Sequence, residues 1–500
     1  MNIGHSYDYI VVGAGAAGSV LAARLSENPD RTVLLLEAGP RDTDPRIWRP
    51  ASWPALLGSA LDWGYRTTAQ AELNGRCLSW PRGRVVGGSA AINAMVHIRG
   101  AATDFDSWQR WGGESWSARA MLPYLERLET PAASGGYGWL PVAENTAPHP
   151  FAAAFVQAGQ KFGLPYDPDL GVERPDSVGL YRTTRTSAPA RRANTARTYL
   201  RPALERPNLT LVTDAPVGGI VTRGGRAIGV RVGATVIGCE GEIVLCAGTV
   251  ASPQLLLASG IGPTEQLRAL DIPSIHPLAG VGENLHDHLQ VSLVFDTVCG
   301  HPVSERSNLG EAGGFVTLYP HSPAPDIQLS FAPMKDLNNA AWLGYGFTIG
   351  PAVTRPRSRG RLTLASSDVD IPPRIDPGYL THHDDLDVLV EGVRIALDIA
   401  ATEPLAGLRS GPAPLPSSPT RTEVEAFVRA NAQTQFHPVG TCRLGTDSDA
   451  VVDTRLRVHG LRGLRVADAS IMPTMITGNI HSTVAAIAER AAEFLREDAG

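Results

Sequence analysis

The chain has 500 residues, a formal net charge of −6, and 43% hydrophobic and 19% charged residues. Single hydrophobic cores stop growing at about 250–300 residues, so this length predicts two domains. The acidic balance excludes the strong positive field that nucleic acid or an anionic lipid surface would require. No apolar run reaches the ~20 residues of a membrane-spanning helix, and we therefore expect no membrane insertion.

The cysteines are odd in number and widely spaced, which argues against a disulfide framework or a zinc site. The first apolar strand begins at Tyr9, which leaves no room for the charged and apolar regions of a signal peptide. We therefore expect free thiols and a cytoplasmic location. The cysteines are Cys77, Cys239, Cys246, Cys299 and Cys442.

The opening stretch has the pattern of a strand, a glycine-rich turn, a helix and a second strand. Apolar β-formers from Tyr9 to Val12 lead into the turn, and a second apolar run, from Val33 to Leu36, ends on Glu37. This order predicts a βαβ unit that binds a dinucleotide. The residues expected to contact it here are Gly13, Ala14, Gly15, Ala16, Ala17, Gly18, Glu37 and Ala38.

Each glycine of this turn has its own predicted task. Gly13 makes the tight turn, Gly15 lets a pyrophosphate approach the backbone, and Gly18 lets the helix pack closely on the strand. The Glu37 carboxylate would accept hydrogen bonds from ribose hydroxyls and repel a 2′-phosphate. FAD and NAD therefore fit and NADP fits poorly, while the choice between flavin and nicotinamide stays open on these residues alone.

A second segment, Trp80 to Gly100, has small residues at its centre, as expected where backbone lies against a flat ligand. Its run 83–93 resembles the Gly-Arg-x-x-Gly-Gly-Ser-Ser-x-Ile-Asn pattern of the glucose-methanol-choline (GMC) oxidoreductases, with Ala90 and Ala91 as mild departures. The resemblance implies a flavin enzyme, and Ile92 stands where some members attach the flavin through histidine, which implies non-covalent FAD. The cofactor contacts that the resemblance implies here are Val85, Gly88, Asn93, Ala94, Met95 and Val96.

Two further segments resemble the same family. The strand Glu242 to Gly248 leads into a run, Gly248 to Gly262, that matches a second GMC signature. We expect Ser252 to be the N-cap of the helix in this run. Val217 matches a family position whose backbone contacts adenine.

The chain changes character between Leu289 and Thr434, where short β-runs predict an antiparallel sheet covered by a helix from Asp384 to Ile399. The predicted fold is α/β, with a Rossmann-like FAD-binding domain and a second, mainly antiparallel β-sheet substrate domain covered by helices. The predicted FAD-binding domain comprises 1–155, 190–288 and 435–500, and the substrate domain comprises 156–189 and 289–434.

Two histidines near the end of the chain are the predicted catalytic residues. An isolated His437 beside a proline is usually a loop residue, and His481 after a Gly-Asn turn is usually a helix cap. Both lie inside family-like motifs, however, and imidazole has a pKa suited to taking a hydroxyl proton. The resemblance implies that His437 is the base, and we propose that His481 orients the hydroxyl over flavin N5 for hydride transfer. Asp468, Ala469 and Thr483 are expected to hold the cofactor from this side.

The predicted reaction is oxidation of a primary alcohol to the aldehyde, the alcohol being aromatic, furanic or sugar-like. A His–His pair resembles the sugar and aryl-alcohol oxidases and argues mildly against choline. Oxygen is the preferred electron acceptor, and another acceptor, as in a dehydrogenase, is the alternative. A carbon–carbon lyase like the GMC-type hydroxynitrile lyases and a non-catalytic flavin protein are the alternatives from other classes.

Two remaining motifs have less specific interpretations. The run His286-Asp287-His288 could suggest a metal, but no further ligands lie at metal-site spacing, so we predict none. The basic run from Arg191 to Leu200 is typical of a solvated face, and its resemblance to a family segment favours, as the alternative, a structural role near the flavin.

Overall fold

The protein is described by a computed structural model that covers residues 6–129, 139–174, 176–187, 189–335, 345–410, 416, 418 and 420–499. Its strands are β1 Ser6–Val12, β2 Val33–Leu36, β3 Tyr65–Arg66, β4 Ser79–Trp80, β5 Val96–His97, β6 Val142–Ala143, β7 Ser177–Leu180, β8 Arg182–Thr184, β9 Leu209–Val212, β10 Val217–Arg223, β11 Arg226–Val232, β12 Thr235–Leu245, β13 Ile261–Gly262, β14 His276–Pro277, β15 Leu289–Val291, β16 Leu293–Asp296, β17 Ala312–Val316, β18 Ile327–Ala332, β19 Gly346–Val353, β20 Arg361–Thr363, β21 Arg374–Asp376, β22 Ala432–Thr434 and β23 Leu464–Val466. Its helices are α1 Ala16–Leu25, α2 Pro45–Trp48, α3 Ala102–Gly112, α4 Ala118–Glu129, α5 Pro150–Phe162, α6 Arg201–Ala203, α7 Gly248–Ala258, α8 Thr264–Ala269, α9 His383–Ala400, α10 Leu405–Leu408, α11 Arg421–Asn431 and α12 His481–Asp498.

The first large sheet has seven strands in the order β10-β11-β12-β1-β2-β9, with β23 paired to β12. Its central strands β1, β2, β9 and the end of β12 are parallel, and β1 and β2 are almost completely buried. Parallel strands covered on both faces need continuous apolar sequence, which is what Tyr9 to Val12 and Val33 to Leu36 supply. Helices α1 and α12 pack together beside this sheet.

The second large sheet has seven antiparallel strands in the order β22-β15-β19-β18-β17-β7, with β16 paired to β19. Helices α5 and α9 cover one face, where Phe155 stacks on Phe331. The opposite face carries polar side chains that line the cavity described below. The predicted fold class, a Rossmann-like domain with a mainly antiparallel second domain, is confirmed.

Several element boundaries differ from the sequence predictions. The helix predicted to be capped by Ser252 begins at Gly248 instead, and Ser252 lies inside it with its hydroxyl bonded to Asp468. The predicted domain boundary between 155 and 156 falls inside α5, which packs on the second sheet. The rest of the domain division stays a prediction.

The basic run 191–200 is not a solvated face, because Arg192 has no exposed surface and Asn194 and Thr195 are also buried. Tertiary packing overrides the usual exposure of charged clusters here. Within the described residues, no helix combines the length and the apolar character that crossing a membrane requires.

Candidate active site

A cavity of about 850 Å³ runs between the two sheets. One end is lined by the glycine-rich turn after β1 and by Glu37, and the other by His437, Asn479 and side chains of the second sheet. Most of the predicted site residues line this cavity; the exceptions are Ala14, Gly18, Val85 and Thr483. The predicted residues that line it are Gly13, Gly15, Ala16, Ala17, Glu37, Ala38, Gly88, Asn93, Ala94, Met95, Val96, Val217, His437, Asp468, Ala469 and His481.

The glycine turn has the geometry that a dinucleotide turn requires. Gly13 has φ +100°, and a Cβ there would lie 2.6 Å from the carbonyl oxygen of Cys246. A Cβ at Gly18 would lie 1.8 Å from the carbonyl oxygen of Gly13, so helix and strand pack too closely for any side chain. A Cβ at Gly15 would meet only the Cα of Gly88, at 3.9 Å. Gly15 therefore borders open space that a ligand phosphate could fill.

Glu37 sits at the end of β2 with its side chain almost fully buried. Its Oε2 accepts a hydrogen bond from the Ala14 N–H at 2.9 Å and its Oε1 accepts one from the Gly39 N–H at 2.9 Å. Burial raises the pKa of this carboxyl to about 7. Because each oxygen keeps further acceptor capacity, hydroxyl donors of a ribose would complete its hydrogen bonding and favour the ionised form.

Asp468 joins the end of β23 to the first turn of α7. Its carboxylate accepts hydrogen bonds from the Gly248 N–H at 2.8 Å, the Ser252 hydroxyl at 2.6 Å and the Ser470 N–H at 2.8 Å. It is therefore also the cap of the short turn Ala469–Ile471. Thr483 lies in the first turn of α12, which has no side-chain cap, and its buried hydroxyl has no hydrogen-bond partner among the described residues.

His437 lies at the opposite end of the cavity, on the segment that follows β22. Asp287 anchors this segment, because its Oδ1 accepts from the His437 N–H at 2.7 Å and its Oδ2 accepts from the Thr434 hydroxyl at 2.6 Å. The preceding residue, Phe436, has φ +67°, a left-handed conformation that costs free energy in a non-glycine residue. The surrounding contacts thus hold the imidazole in one place.

His288 determines which nitrogen of His437 carries the proton. The His288 Nε2 lies 2.8 Å from the Thr354 carbonyl oxygen and 3.2 Å from that of Ile476, so Nε2 must donate. Neutral His288 then offers an Nδ1 lone pair to the His437 Nδ1, 2.9 Å away, and His437 donates. The Nε2 of His437 is left with a lone pair, which is the form a general base requires.

Both imidazoles are held in the neutral form. Burial, followed by the electrostatic cost of a second proton beside His288 and by the charge of Arg82, keeps the pKa of His437 well below its ordinary value. Burial lowers the pKa of His288 to about 4. At neutral pH His437 is therefore unprotonated and able to accept a proton.

The structure places Asn479 next to the His437 imidazole. The Asn479 Nδ2 lies 3.2 Å from the His437 Nε2. His481 also lines the cavity, but its Nε2 is buried without a hydrogen-bond partner among the described residues. Burial, followed by electrostatic interaction with His97 and Arg192, lowers its pKa to about 4. Within the described residues Asn479 hydrogen-bonds to the His437 Nε2, and the predicted role of His481 in orienting the substrate hydroxyl stays a prediction.

The second sheet contributes a neutral polar wall, defined here as Gln290, Gln328, Ser330 and Gln435. Gln328 of β18 and Gln290 of β15 both pair with Ala352 of β19, which places them on the same face. The Gln435 Nε2 donates to the Gln328 Oε1 at 3.3 Å, and the Gln328 Nε2 donates to Asn479 Oδ1 at 3.4 Å. This chain of amides orients Asn479 with its N–H group toward His437.

Comparison with known proteins identifies the family. A profile described as GMC oxidoreductase matches residues 7–290, and a second one with the same description matches residues 356–488. The chain belongs to the GMC oxidoreductase family. The prediction that it is a GMC-type oxidoreductase is therefore confirmed.

Several relatives of this GMC oxidoreductase match over almost their full length. An alcohol dehydrogenase (acceptor) of Pseudomonas putida is 37% identical, with 98% of this chain and 95% of the relative covered. An oxygen-dependent choline dehydrogenase of Ectopseudomonas mendocina is 40% identical, with 99% and 94% covered. Among solved structures, pyridoxine 4-oxidase from Mesorbium loti is 34% identical with a TM-score of 0.90, covering 97% of this chain and 98% of that one.

The GMC residues present here fit FAD. The open space at Gly15 suits the phosphates of such a ligand, and the buried Glu37 acceptor suits its ribose hydroxyls. The uncapped start of α12 suits a ring that gains negative charge on reduction. A structural neighbour that contains FAD is a formate oxidase of Aspergillus oryzae. It is 27% identical with a TM-score of 0.91, covering 100% of this chain and 99% of that one.

Sequence reasoning missed several residues that build this GMC site. Asn479 was recognised only as part of a motif, and His288 and Asp287 only as a weak metal candidate. Among the described residues, the one group with the spacing of metal ligands is His382, His383 and Asp384 at the surface. His288 and Asp287 instead hydrogen-bond to His437. The glycine before Asn479, with φ +96°, was the one local signal that this amide is displayed on a tight turn.

Proposed function

We propose that this GMC oxidoreductase binds FAD non-covalently and oxidises a neutral primary alcohol to the aldehyde, with oxygen as the preferred acceptor. The observation that carries the proposal is the pairing of the His437 lone pair with the Asn479 N–H, 3.2 Å apart, in a cavity continuous with the glycine turn. The relatives that are named for acting on alcohols support the same reaction class.

Two side chains of the protein handle the substrate hydroxyl. A substrate hydroxyl inserted between the two groups replaces their mutual hydrogen bond: it donates its proton to the His437 Nε2, and its oxygen accepts a hydrogen bond from the Asn479 Nδ2. His437 becomes positively charged through Nε2 and keeps its Nδ1–H bond to His288. Asn479 stabilises the negative charge that develops on the substrate oxygen. His481, at the start of α12, is assigned to cofactor binding and orientation rather than to the proton.

When bound, FAD supplies the acceptor for the hydride that leaves the alcohol carbon. The residues proposed to hold it are those of the glycine turn, Glu37, the run 85–96 and Val217, with Asp468, Ala469 and Thr483 from the other side. Ile92 is buried in an apolar cluster at the position where a covalent histidine would stand, which supports non-covalent attachment. The cysteines are free thiols, which supports the proposed cytoplasmic location.

The cavity favours a neutral substrate. Within the described residues, the carboxylates that line it are Glu37, Asp370 and Asp468. Glu37 and Asp468 are held at the strand ends of the first sheet, and the segment of Asp370 is bound by Gln254 of α7. The wall of the second sheet is neutral, and a buried cation without a carboxylate partner is costly. The argument against choline therefore rests on this neutral wall rather than on a pair of histidines.

An anaerobic stopped-flow screen tests the proposal. Purified holoprotein is mixed with primary alcohols, including benzyl alcohol, furfuryl alcohol and the pair choline and 3,3-dimethylbutan-1-ol, which have the same shape and differ in charge. We expect bleaching of the flavin band, at least tenfold faster with the neutral member of the pair. Faster bleaching with choline would contradict the substrate class, and turnover without bleaching would favour the lyase. Oxygen consumption with peroxide formation, against dye reduction, distinguishes oxidase from dehydrogenase.

A further inference from the structure

Arg192 is a fully buried cation in the basic run before α6. Its Nε donates to the Ile47 carbonyl oxygen at 2.8 Å, and its Nη1 donates to the Ala90 carbonyl oxygen at 3.1 Å and to the Asn93 Oδ1. Its Nη2 is buried without a hydrogen-bond partner among the described residues. Within the described part of the chain, this guanidinium therefore donates hydrogen bonds only to neutral oxygens.

No carboxylate among the described residues forms an ion pair with Arg192, and burial alone lowers its pKa, to about 9. Leaving a charge unpaired inside a protein is strongly unfavourable, and natural structures keep such groups when a ligand or a partner completes them. At neutral pH the guanidinium is still charged. It is therefore suited to meet negative charge that the protein itself does not supply.

Arg192 reaches the cavity through Asn93. The Asn93 Oδ1 accepts from Arg192 and also from the Met95 N–H at 3.1 Å. Both bonds use the oxygen, so the amide Nδ2 is the group left for the cavity that Asn93 lines. A charge-assisted bond to the oxygen of an amide strengthens its N–H groups as donors.

This donor lies toward the redox end of the cavity. The strand that follows Asn93 reaches the start of α12, because the Nδ1 of His97 lies 3.0 Å from the hydroxyl of Ser482. Helix α12 begins two residues after Asn479, the partner of His437. The dinucleotide end, by contrast, is marked by Gly13 and Glu37. A cofactor whose adenosine lies at Glu37 would place its ring system near Asn93.

We propose that Arg192 is a positioning residue that, acting through the Asn93 amide, stabilises negative charge on the flavin ring and so raises its reduction potential. The inference rests on the proposed function in requiring bound FAD, but it does not depend on the identity of the alcohol. The Asn93 Nδ2–H supplies the direct contact, and the guanidinium behind it supplies the charge.

Sulfite binding and the midpoint potential test the role without any alcohol. Sulfite adds its lone pair to flavin N5, forming an N–S bond and leaving negative charge on the ring, so its Kd reports how well the protein stabilises that charge. The holoprotein variants are Arg192→Met, Arg192→Lys and Asn93→Leu. The matched control is Arg197→Met, in the same basic run, where the guanidinium stacks over Trp48 at 5.2 Å instead.

We expect Arg192→Met and Asn93→Leu each to retain FAD and to weaken sulfite binding at least tenfold, since hydrogen bonds involving charged groups contribute about that much. If the same stabilisation acts on the two-electron couple, a tenfold loss corresponds to a potential about 30 mV lower. Arg192→Lys should stay within threefold of the wild type, and Arg197→Met within twofold. The double variant should be no worse than the stronger single one, because the two residues act as a unit.

Unchanged sulfite affinity and potential in FAD-loaded Arg192→Met would overturn the proposal. If Arg192→Met does not retain FAD, the other two variants test the proposal. A wild-type sulfite Kd and potential in Asn93→Leu would overturn it, and so would a tenfold weaker sulfite affinity in Arg192→Lys. The proposal would also be overturned if these variants lost part of their FAD while the protein that still holds FAD kept the wild-type potential. Arg192 would then be assigned to binding the cofactor phosphates. Absence of alcohol oxidation with the expected sulfite effects would refute only the proposed function.

Discussion

The two ends of the cavity are built in different ways. The end around Gly13, Gly15 and Glu37 is made largely of backbone from one continuous stretch, shaped by glycines and by the start of α1. The end around His437 is made of side chains from segments far apart in the chain, such as Gln328 and Asn479. Contacts made by backbone depend little on the neighbouring side chains, whereas contacts made by side chains change with single substitutions.

The largest expected effect is at the backbone end. Gly15→Val should yield protein without FAD, because the side chain would occupy the open space next to the turn. The fold itself has room at this position, so loss of FAD would be a ligand effect. The measurement is the flavin absorbance per protein after desalting, with thermal unfolding as a check of the fold. The control is Gly171→Val, where a Cβ meets nothing within 4 Å; equal flavin content in both variants would contradict the prediction.

The second-largest expected effect is on the rate of flavin reduction, at the cavity end around His437. His437→Ala should lower the rate of flavin reduction by alcohol about 10²–10⁴-fold with FAD retained, since the general base is lost. Anaerobic stopped-flow kinetics measures it. His321→Ala, at an exposed histidine, serves as the control and should leave the rate unchanged. A wild-type rate in His437→Ala would remove the histidine from the mechanism.

Asn479 and His481 can be separated by matched variants. Asn479→Leu should slow flavin reduction about 100-fold, as expected for the loss of a donor to a developing oxyanion. His481→Leu should slow it less and should mainly change FAD retention. The comparison uses reduction rate constants at saturating alcohol together with flavin content. A larger kinetic loss in His481→Leu would assign the orientation of the substrate hydroxyl to His481, as predicted from the sequence.

His288 should matter only through His437. His288→Phe removes the acceptor that keeps the proton on the His437 Nδ1, and we expect a loss of about 10- to 100-fold, in the range found for supporting residues around a reactive group. The double variant with His437→Ala should be no slower than His437→Ala alone. Additive losses in reduction kinetics would show that His288 acts by another route.

The smallest effect is that of pH between 7 and 9. Because the pKa of His437 is held well below 6.5, the base is already deprotonated throughout this range, and kcat/KM should be flat within about twofold. Activity should fall only below pH 6.5, as the imidazole takes up its proton. The profile of kcat/KM against pH tests this, and an acid limb with its midpoint at about 7 or above would contradict the lowered pKa.

The backbone end was accessible from the sequence because its signals are local. Three glycines, an apolar strand on either side and a spaced acid define a turn whose geometry the chain itself dictates, and the structure agrees at Gly13 and Gly18. His437 was also found, but only with help from the family resemblance. Exposure of the basic run was predicted wrongly, since nothing local indicates that Arg192 would be enclosed by Ile47, Ala90 and Asn93.

The sequence by itself determined that a βαβ unit binds a dinucleotide and that an antiparallel region follows it, because strand and turn propensities act over a few residues. Only the tertiary structure decided that Asn479 hydrogen-bonds to the His437 Nε2, that His288 sets the tautomer of His437, and that Arg192 lies behind Asn93. These contacts join residues between 42 and 149 positions apart. Hydrogen bonding at that separation depends on how whole sheets and helices pack, which no local pattern specifies.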